Sequence, residues 1–167
     1  MSTLPPSLEE RARAVLAAAA KTKALIATAE SCTGGLIAAA LTAISGSSAT
    51  VDRGFVTYSN DAKTEMLDVP ADLIAKVGAV STEVARAMAE GALKHSRATI
   101  TVAVTGIAGP TGGSPEKPVG LVHFATSKRG STTLSERHIF PGDRDAVRLA
   151  TAMTALDLLI RQLETSN

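Results

Sequence analysis

The spacing of apolar and polar positions predicts alternating helices and strands along the chain. Short apolar runs bounded by charged or turn residues predict strands over 23–29, 51–59, 98–105, 119–127 and 132–140. Helical spacing and end signals predict helices over 7–20, 33–43, 61–67, 82–95 and 141–163, with a further turn beginning at Pro70. Ser7 and Glu10 have the spacing of a capping box at the start of the first helix. Residues 106–118 are rich in Gly and Pro and predict a loop.

This order of elements predicts the α/β class, with one sheet covered by helices on both faces. The last two strands flank the turn Lys128-Arg129-Gly130, so the sheet is expected to be mixed but mostly parallel. The length of 167 residues is typical of one domain, and we expect residues 1–167 to form a single one.

Composition limits the classes of function. Apolar residues make up 45% of the chain and aromatic residues 2%, so Ala, Val, Ile and Leu must form the core. The net charge is +1, from 17 basic and 16 acidic residues, which gives no long-range attraction to nucleic acid or anionic membranes. The sequence shows no signal-peptide pattern and no convincing membrane span, because the uncharged stretch 31–51 is interrupted by Gly, Ser and Thr. We therefore expect a cytoplasmic protein.

The segment Ala-Glu-Ser-Cys-Thr-Gly-Gly at 29–35 lies where a predicted strand meets a predicted helix. Ligands of open α/β sheets bind beyond the carboxyl ends of strands, so Ser31 is a candidate nucleophile there. The N–H groups at the helix start are candidates for stabilising an oxyanion, and Gly34 and Gly35 permit close approach of a ligand. The alternative is that Ser31 or Thr33 only caps the helix.

A serine nucleophile needs a base. The three histidines at 95, 123 and 138 fit solvated or structural positions, and they lack the accompanying ligands of a metal site. Lys63 follows another strand end, and a desolvated lysine can act as the base of a Ser–Lys pair. An ordinary surface lysine is the alternative. Tyr58 is expected either to orient Lys63, to stack on a flat ring, or to pack in the core.

Two further segments suggest anion binding. The loop from Thr105 to Gly113 exposes glycine N–H groups after an apolar strand, although it is neither a phosphate-binding P-loop nor a dinucleotide fingerprint. Arg144 and Arg148 are four residues apart at a predicted helix start, where a bound phosphate would offset their repulsion. Alternatively, the loop is an ordinary flexible one and Asp143 and Asp145 neutralise the arginine pair.

Taken together, these segments resemble the CinA C-terminal-domain family, the nicotinamide-nucleotide amidohydrolases. The resemblance is carried, in order, by Ala-Glu-Ser-Cys-Thr-Gly-Gly at 29–35, Tyr-Ser-Asn-Asp-Ala-Lys at 58–63, Thr-Gly-Ile-Ala-Gly-Pro-Thr-Gly-Gly at 105–113, Lys-Pro-Val-Gly at 117–120 and Phe-Pro-Gly-Asp-Arg at 140–144. It implies a three-layer α/β/α fold and hydrolysis of nicotinamide mononucleotide to nicotinate mononucleotide and ammonia. It also implies a stand-alone form of the domain, a homodimer or higher homo-oligomer, and no metal or other cofactor.

The resemblance also implies roles for individual residues. Ser31 is the expected nucleophile and Lys63 its base, with Tyr58 and Thr105 assisting. The expected substrate-binding residues are Glu30, Thr33, Gly34, Gly35, Gly106, Gly109, Arg144 and Arg148. Glu30 would orient Lys63 or a ribose hydroxyl, and the glycine loop with the arginines would hold the 5′-phosphate.

Two other functions remain open at this stage. One is a nucleotide-binding regulatory module that has lost catalysis. The other is redox signalling through Cys32, because a thiol at a helix start can have a lowered pKa.

Overall fold

Helices and strands alternate in the computed structural model, which describes residues 2–165. The helices are α1 Pro6–Thr22, α2 Leu36–Thr42, α3 Asn60–Leu67, α4 Ala71–Val77, α5 Thr82–Lys94 and α6 Arg144–Glu164. The strands are β1 Ile26–Glu30, β2 Val51–Val56, β3 Ile100–Gly106, β4 Leu121–Lys128 and β5 Leu134–Ile139. None of the helices in this part of the chain is long and apolar enough to span a membrane.

The strands of residues 2–165 form one five-stranded sheet in the order β2-β1-β3-β4-β5. The pairings of β1 with β2 and with β3 are parallel, whereas β4 is antiparallel to both β3 and β5. The predicted mixed sheet of an α/β fold is therefore confirmed. The sheet order also places a switch point at β1, because the chain continues from β1 to β2 on one side and β3 lies on the other.

Two apolar layers, one on each face of the sheet, form the core. One contains buried residues of α1, α2 and α6 with Ile100, Val102 and Val104 of β3, and the other contains residues of α4 and α5 with Ala103. This alternation follows from the two-residue period of a strand. The side chains facing α5 are small, so this helix lies close to the sheet, and Thr101 donates a hydrogen bond of 2.7 Å to the carbonyl of Ala89 in α5.

Several predicted element starts differ from the observed ones by one to three residues, and local backbone chemistry explains three of them. The helix α1 begins at Pro6 with Pro5 as N-cap, so Ser7 is inside the helix and caps nothing. A proline at the first helical position needs no hydrogen-bond partner for its nitrogen. Lys23 ends α1 in the left-handed conformation, which delays β1 to Ile26. The helix α2 starts at Leu36 rather than 33, after a turn that uses positive φ at Gly34 and Gly35.

Gly91 allows α5 to pack against the end of α3. A β-carbon at this position would overlap the carbonyl oxygen of Leu67, which is backbone and cannot swing away. We expect Gly91→Ala to lower the free energy of unfolding by about 2 kcal/mol or more, although alanine is ordinarily the better helix former. Urea unfolding measures this change, with the exposed neighbour Glu90→Ala as control. A Gly91→Ala protein as stable as the control would contradict the close approach.

Candidate active site

The four residues that the sequence predicts to be catalytic lie at the edge of the sheet where β1, β2 and β3 end. Because these three strands are parallel, their carboxyl ends lie side by side. Ser31 directly follows β1, Tyr58 and Lys63 follow β2, and Thr105 lies near the end of β3. The site therefore lies at the switch point of the sheet, where ligands of α/β proteins usually bind.

A cleft of about 280 Å³ opens at this edge. Seven of the twelve predicted site residues line it: Ser31, Tyr58, Lys63, Thr105, Gly106, Gly109 and Arg144. They come from four separate segments of the chain, which the fold brings together. The five that do not line it are Glu30, Thr33, Gly34, Gly35 and Arg148.

Ser31 and Lys63 meet at the base of this cleft. The Nζ atom of Lys63 lies 3.1 Å from Oγ of Ser31, and the two residues are 1% and 8% exposed, respectively. The same Nζ donates to the backbone carbonyls of Thr57 at 3.0 Å and Tyr58 at 3.4 Å. The hydroxyl of Ser59 caps α3 by accepting from the N–H of Ala62, and this start places Lys63 in the first turn.

The surroundings of Lys63 favour its neutral form. Burial lowers the pKa of this amine below its ordinary value, because the charged form loses its hydration. A charged Cys32 thiolate would raise the pKa of Lys63 again. Burial raises the pKa of Cys32 itself to about 11, however, so the thiol is neutral at pH 7. Among residues 2–165, no carboxylate forms an ion pair with Lys63.

Tyr58 and Arg144 form one rim of the cleft. The side chain of Arg144 donates to the carbonyl of Gly109 at 2.9 Å and to the Tyr58 hydroxyl at 3.1 Å. Tyr58 is 61% exposed, so its ring is accessible to a ligand rather than packed in the core. Its backbone carbonyl contacts Lys63, whereas its hydroxyl is directed to Arg144.

Thr105 supports another part of the cleft wall. Its hydroxyl donates to the carbonyl of Ala79 at 2.9 Å, and this bond holds the loop before α5 against the end of β3. Ala79 and Val80 consequently line the cleft, as do Asn60 and Ile107. Sequence reasoning missed these four as site residues. Asn60 lies within the family-like segment 58–63, and Ile107 lies within the glycine-rich segment 105–113. Ala79 and Val80 are apolar and belong to no motif, so nothing in the sequence marks them as site residues.

Glu30 is fully buried beneath the site, where it caps α2 from a distance. Its carboxylate accepts hydrogen bonds from the hydroxyl of Thr33 at 2.6 Å and from the N–H groups of Ile37 at 2.8 Å and Ala38 at 3.0 Å. This placement argues against the predicted contacts of Glu30 and Thr33 with substrate or Lys63. It also corrects the idea that the α2 N-terminus forms an oxyanion hole, since the N–H groups of Ile37 and Ala38 already have an acceptor.

Arg148 and the two glycines shape the turn rather than the cleft. The Arg148 guanidinium donates to the carbonyls of Cys32 at 3.2 Å and Thr33 at 2.9 Å. Gly34 and Gly35 have φ values of +59° and +104° in the turn into α2, a backbone conformation that residues with a side chain rarely adopt. Arg144 and Arg148 thus each have backbone acceptors, so their four-residue spacing does not by itself require a bound phosphate.

The cysteine and histidines have other surroundings. Cys32 lines the cleft but is 6% exposed, and its raised pKa is the opposite of what a reactive thiol needs. The histidines contact Asp68, Thr82 and Glu136, respectively, and none lines the cleft. Within residues 2–165, no group of three or more His, Cys, Asp or Glu side chains could hold a metal ion.

Fold and site together define a layered α/β protein with a buried Ser–Lys pair at the carboxyl edge of three parallel strands. The chain belongs to the CinA C-terminal domain family, whose model matches residues 8–163. It is 60% identical over 140 residues to a CinA-like protein of Citrifermentans bemidjiense, covering 84% of this chain and 34% of that protein. The chain thus spans about a third of the length of such CinA-like relatives.

Two further relatives are similar in length to this chain. The nicotinamide-nucleotide amidohydrolase PncC of Pseudomonas putida is 55% identical over 138 residues, which cover 83% of this chain and 86% of that protein. The crystal structure of the competence/damage-inducible protein CihA from Agrobacterium tumefaciens matches with a TM-score of 0.95 and 54% identity. That match covers 99% of this chain and 100% of the other.

Proposed function

We propose that this protein is a nicotinamide-nucleotide amidohydrolase that converts nicotinamide mononucleotide to nicotinate mononucleotide and ammonia. The observation that carries the proposal is the contact of 3.1 Å between Ser31 Oγ and Lys63 Nζ at the base of an open cleft. The similarity to the PncC amidohydrolase supports the choice of substrate. We assign the reaction to pyridine-nucleotide salvage in the cytoplasm, and we expect a homodimer or higher homo-oligomer from the family resemblance.

The contacts of Lys63 fit a neutral amine acting as a base. Such an amine has two N–H bonds and one lone pair. The N–H bonds are directed to the carbonyls of Thr57 and Tyr58, which leaves the lone pair to accept the proton of the Ser31 hydroxyl. The lowered pKa of Lys63 keeps a larger fraction of the amine in this form.

In the proposed reaction, Ser31 Oγ bonds to the carboxamide carbon while its proton passes to Lys63. The C–N bond of the adduct then breaks, and the leaving nitrogen takes the proton from Lys63 and departs as ammonia. Water attacks the resulting ester, Lys63 accepts a water proton and returns it to Oγ, and the carboxylic acid is released. One amide and one water thus give one acid and one ammonia, with Ser31 and Lys63 restored.

The other residues of the cleft have proposed roles in holding the nucleotide. Arg144 lies on the rim, and only two of its five N–H donors are used by Gly109 and Tyr58, so it can also bind the 5′-phosphate. The exposed ring of Tyr58 is suited to stacking on the nicotinamide or covering it. Thr105 holds the part of the wall that contains Ala79, and the glycines at 106 and 109 let the backbone approach the ligand closely.

The native protein is expected to release ammonia from nicotinamide mononucleotide in equal amount to nicotinate mononucleotide. Ser31→Ala should lower this rate by roughly a thousandfold or more, because it removes the nucleophile without disturbing the buried backbone. A coupled ammonia assay together with chromatography of the nucleotides measures both products. The exposed Ser48→Ala serves as the matched control and should keep the native rate.

The alternative is a regulatory module that binds the nucleotide without hydrolysing it. Tight binding of nicotinamide mononucleotide to the native protein with no ammonia release would favour that module. Equal rates for the native protein and Ser31→Ala would remove Ser31 as the nucleophile.

A further inference from the structure

The segment Ser31–Gly35, termed here the nucleophile turn, is anchored by an arginine from a distant helix. Arg148 of α6 donates from Nε to the Cys32 carbonyl at 3.2 Å and from Nη2 to the Thr33 carbonyl at 2.9 Å. A guanidinium can satisfy two neighbouring acceptors in fixed directions, which a lysine ammonium does much less well. Arg148 lies outside the cleft lining, so its contacts are with the turn.

The remaining bonds of the turn determine which of its N–H groups are free. The N–H of Ser31 donates to the carbonyl of Val104 in β3 at 3.1 Å, and the N–H of Gly34 donates to the carbonyl of Ser31 at 3.0 Å. Among the described residues, no oxygen accepts from the N–H groups of Cys32, Thr33 or Gly35, and the N–H of Cys32 contacts only its own thiol, a weak acceptor. Of these three residues, only Cys32 lines the cleft.

The N–H of Cys32 belongs to the residue that directly follows the nucleophile. In serine hydrolases with a strand-to-helix nucleophile turn, the N–H at this position commonly stabilises the oxyanion. This N–H shares its peptide plane with the Ser31 carbonyl, and in a trans peptide the two groups point to opposite sides. The Ser31 carbonyl accepts from the N–H of Gly34, which in turn shares its peptide plane with the Thr33 carbonyl that Arg148 holds. Arg148 therefore acts on the Cys32 N–H indirectly, through the Thr33–Gly34 peptide and the bond from Gly34 to Ser31.

We propose that Arg148 is a positioning residue, which holds the Cys32 and Thr33 carbonyls so that the Cys32 N–H can donate to the oxyanion formed when Ser31 attacks. This inference rests on the proposed amidohydrolase function. It replaces the sequence-based role of Arg148 as a phosphate ligand. The phosphate role remains with Arg144, which lies one helical turn earlier and lines the cleft.

The test compares Arg148→Met and Arg148→Lys with Arg144→Met on the same helix. Both Arg148 variants should lower kcat ten- to a hundredfold, because small misplacements of oxyanion donors have effects of that size. Their KM for nicotinamide mononucleotide should stay within about twofold of native, and the pH dependence of kcat should keep its midpoint, because Lys63 is unchanged. Arg144→Met should instead raise KM about tenfold or more.

A second measurement separates this inference from the proposed function. A fluorophosphonate probe reacts with an activated serine and also develops negative charge on an oxygen, so its reaction with Ser31 needs the same donor. Labelling should slow in both Arg148 variants in proportion to kcat and be absent in Ser31→Ala. If the native protein does not hydrolyse nicotinamide mononucleotide, the labelling rates still test the role of Arg148.

Three results would overturn the proposal. One is a raised KM with unchanged kcat in the Arg148 variants, which would make Arg148 a substrate ligand. Another is full native labelling and turnover in both variants, which would leave Arg148 without a role in the reaction. The third is a native protein that neither hydrolyses the nucleotide nor reacts with the probe, which would remove the amidohydrolase function as well.

Discussion

Lys63→Met is expected to lower kcat by roughly a thousandfold or more while preserving the fold. The methionine side chain fills nearly the same volume but cannot accept the Ser31 proton. The variant loses the hydrogen bonds from Lys63 to the backbone carbonyls of Thr57 and Tyr58. Because Lys63 is 1% exposed, an apolar side chain at this position also avoids the free-energy cost of burying an amine, and this gain offsets the loss. Steady-state kinetics gives the rate, and urea unfolding should show a change in stability within about 2 kcal/mol.

The pH profile and two control variants distinguish a base from a mere positive charge. Protonated Lys63 cannot accept a proton, so native kcat should rise with pH through the pKa of Lys63, which burial places below its ordinary value, and then level off. Lys63→Arg keeps the charge but cannot lose its proton, so it should be as impaired as Lys63→Met. The exposed Lys76→Met should behave like the native protein. Native activity in Lys63→Arg would show that Lys63 is not the base.

Glu30→Ala is expected to lower the free energy of unfolding by about 3–5 kcal/mol, since it removes the acceptor for four buried or partly buried donors. Gly35, the N-cap of α2, has no side chain that could replace the lost carboxylate. The start of α2 would then have to open to water or rearrange, and the nucleophile turn would move with it. Chemical unfolding monitored by circular dichroism measures the loss.

A graded comparison checks that the hydrogen bonds, rather than the charge, produce this effect. Glu30→Gln retains one acceptor oxygen and should lose only about 1–2 kcal/mol. Glu10→Ala removes an exposed carboxylate from α1 and should change stability by less than about 0.5 kcal/mol. If Glu30→Ala were no less stable than Glu10→Ala, the remote capping of α2 by Glu30 would be wrong.

The fold was largely predictable because its elements have clear local patterns. The apolar run in 98–105 predicted β3, and the turn at Lys128-Arg129-Gly130 predicted the antiparallel pair β4 and β5. The placement of Ser31 and Lys63 at one edge followed from the rule that parallel strands end side by side, whereas their pairing as nucleophile and base came from the family resemblance. The start of α1 was missed because the capping-box spacing at Ser7 competed with Pro6, a better first helical residue.

The partners of the site residues depended on tertiary contacts that no local pattern contains. Glu30 follows a strand pattern and precedes Ser31, so the sequence suggested a ligand contact, whereas its carboxylate is committed to α2. Arg144 and Arg148 look equivalent in sequence and lie on nearly the same helix face, but they are about 6 Å apart along the helix axis. This offset puts one at the cleft and the other at the nucleophile turn. Val80 enters the cleft because Thr105 holds the carbonyl of neighbouring Ala79.

The contact between Tyr58 and Arg144 at the rim makes the intrinsic fluorescence of Tyr58 sensitive to what occupies the cleft. Tyr58 is the one tyrosine of a chain without tryptophan, so intrinsic emission under ultraviolet excitation comes almost wholly from a ring at the cleft mouth. A ligand that stacks on this ring or draws Arg144 away from its hydroxyl changes the polarity around the fluorophore. Occupancy of the cleft can therefore be followed in the unlabelled protein, without an attached dye and without turnover.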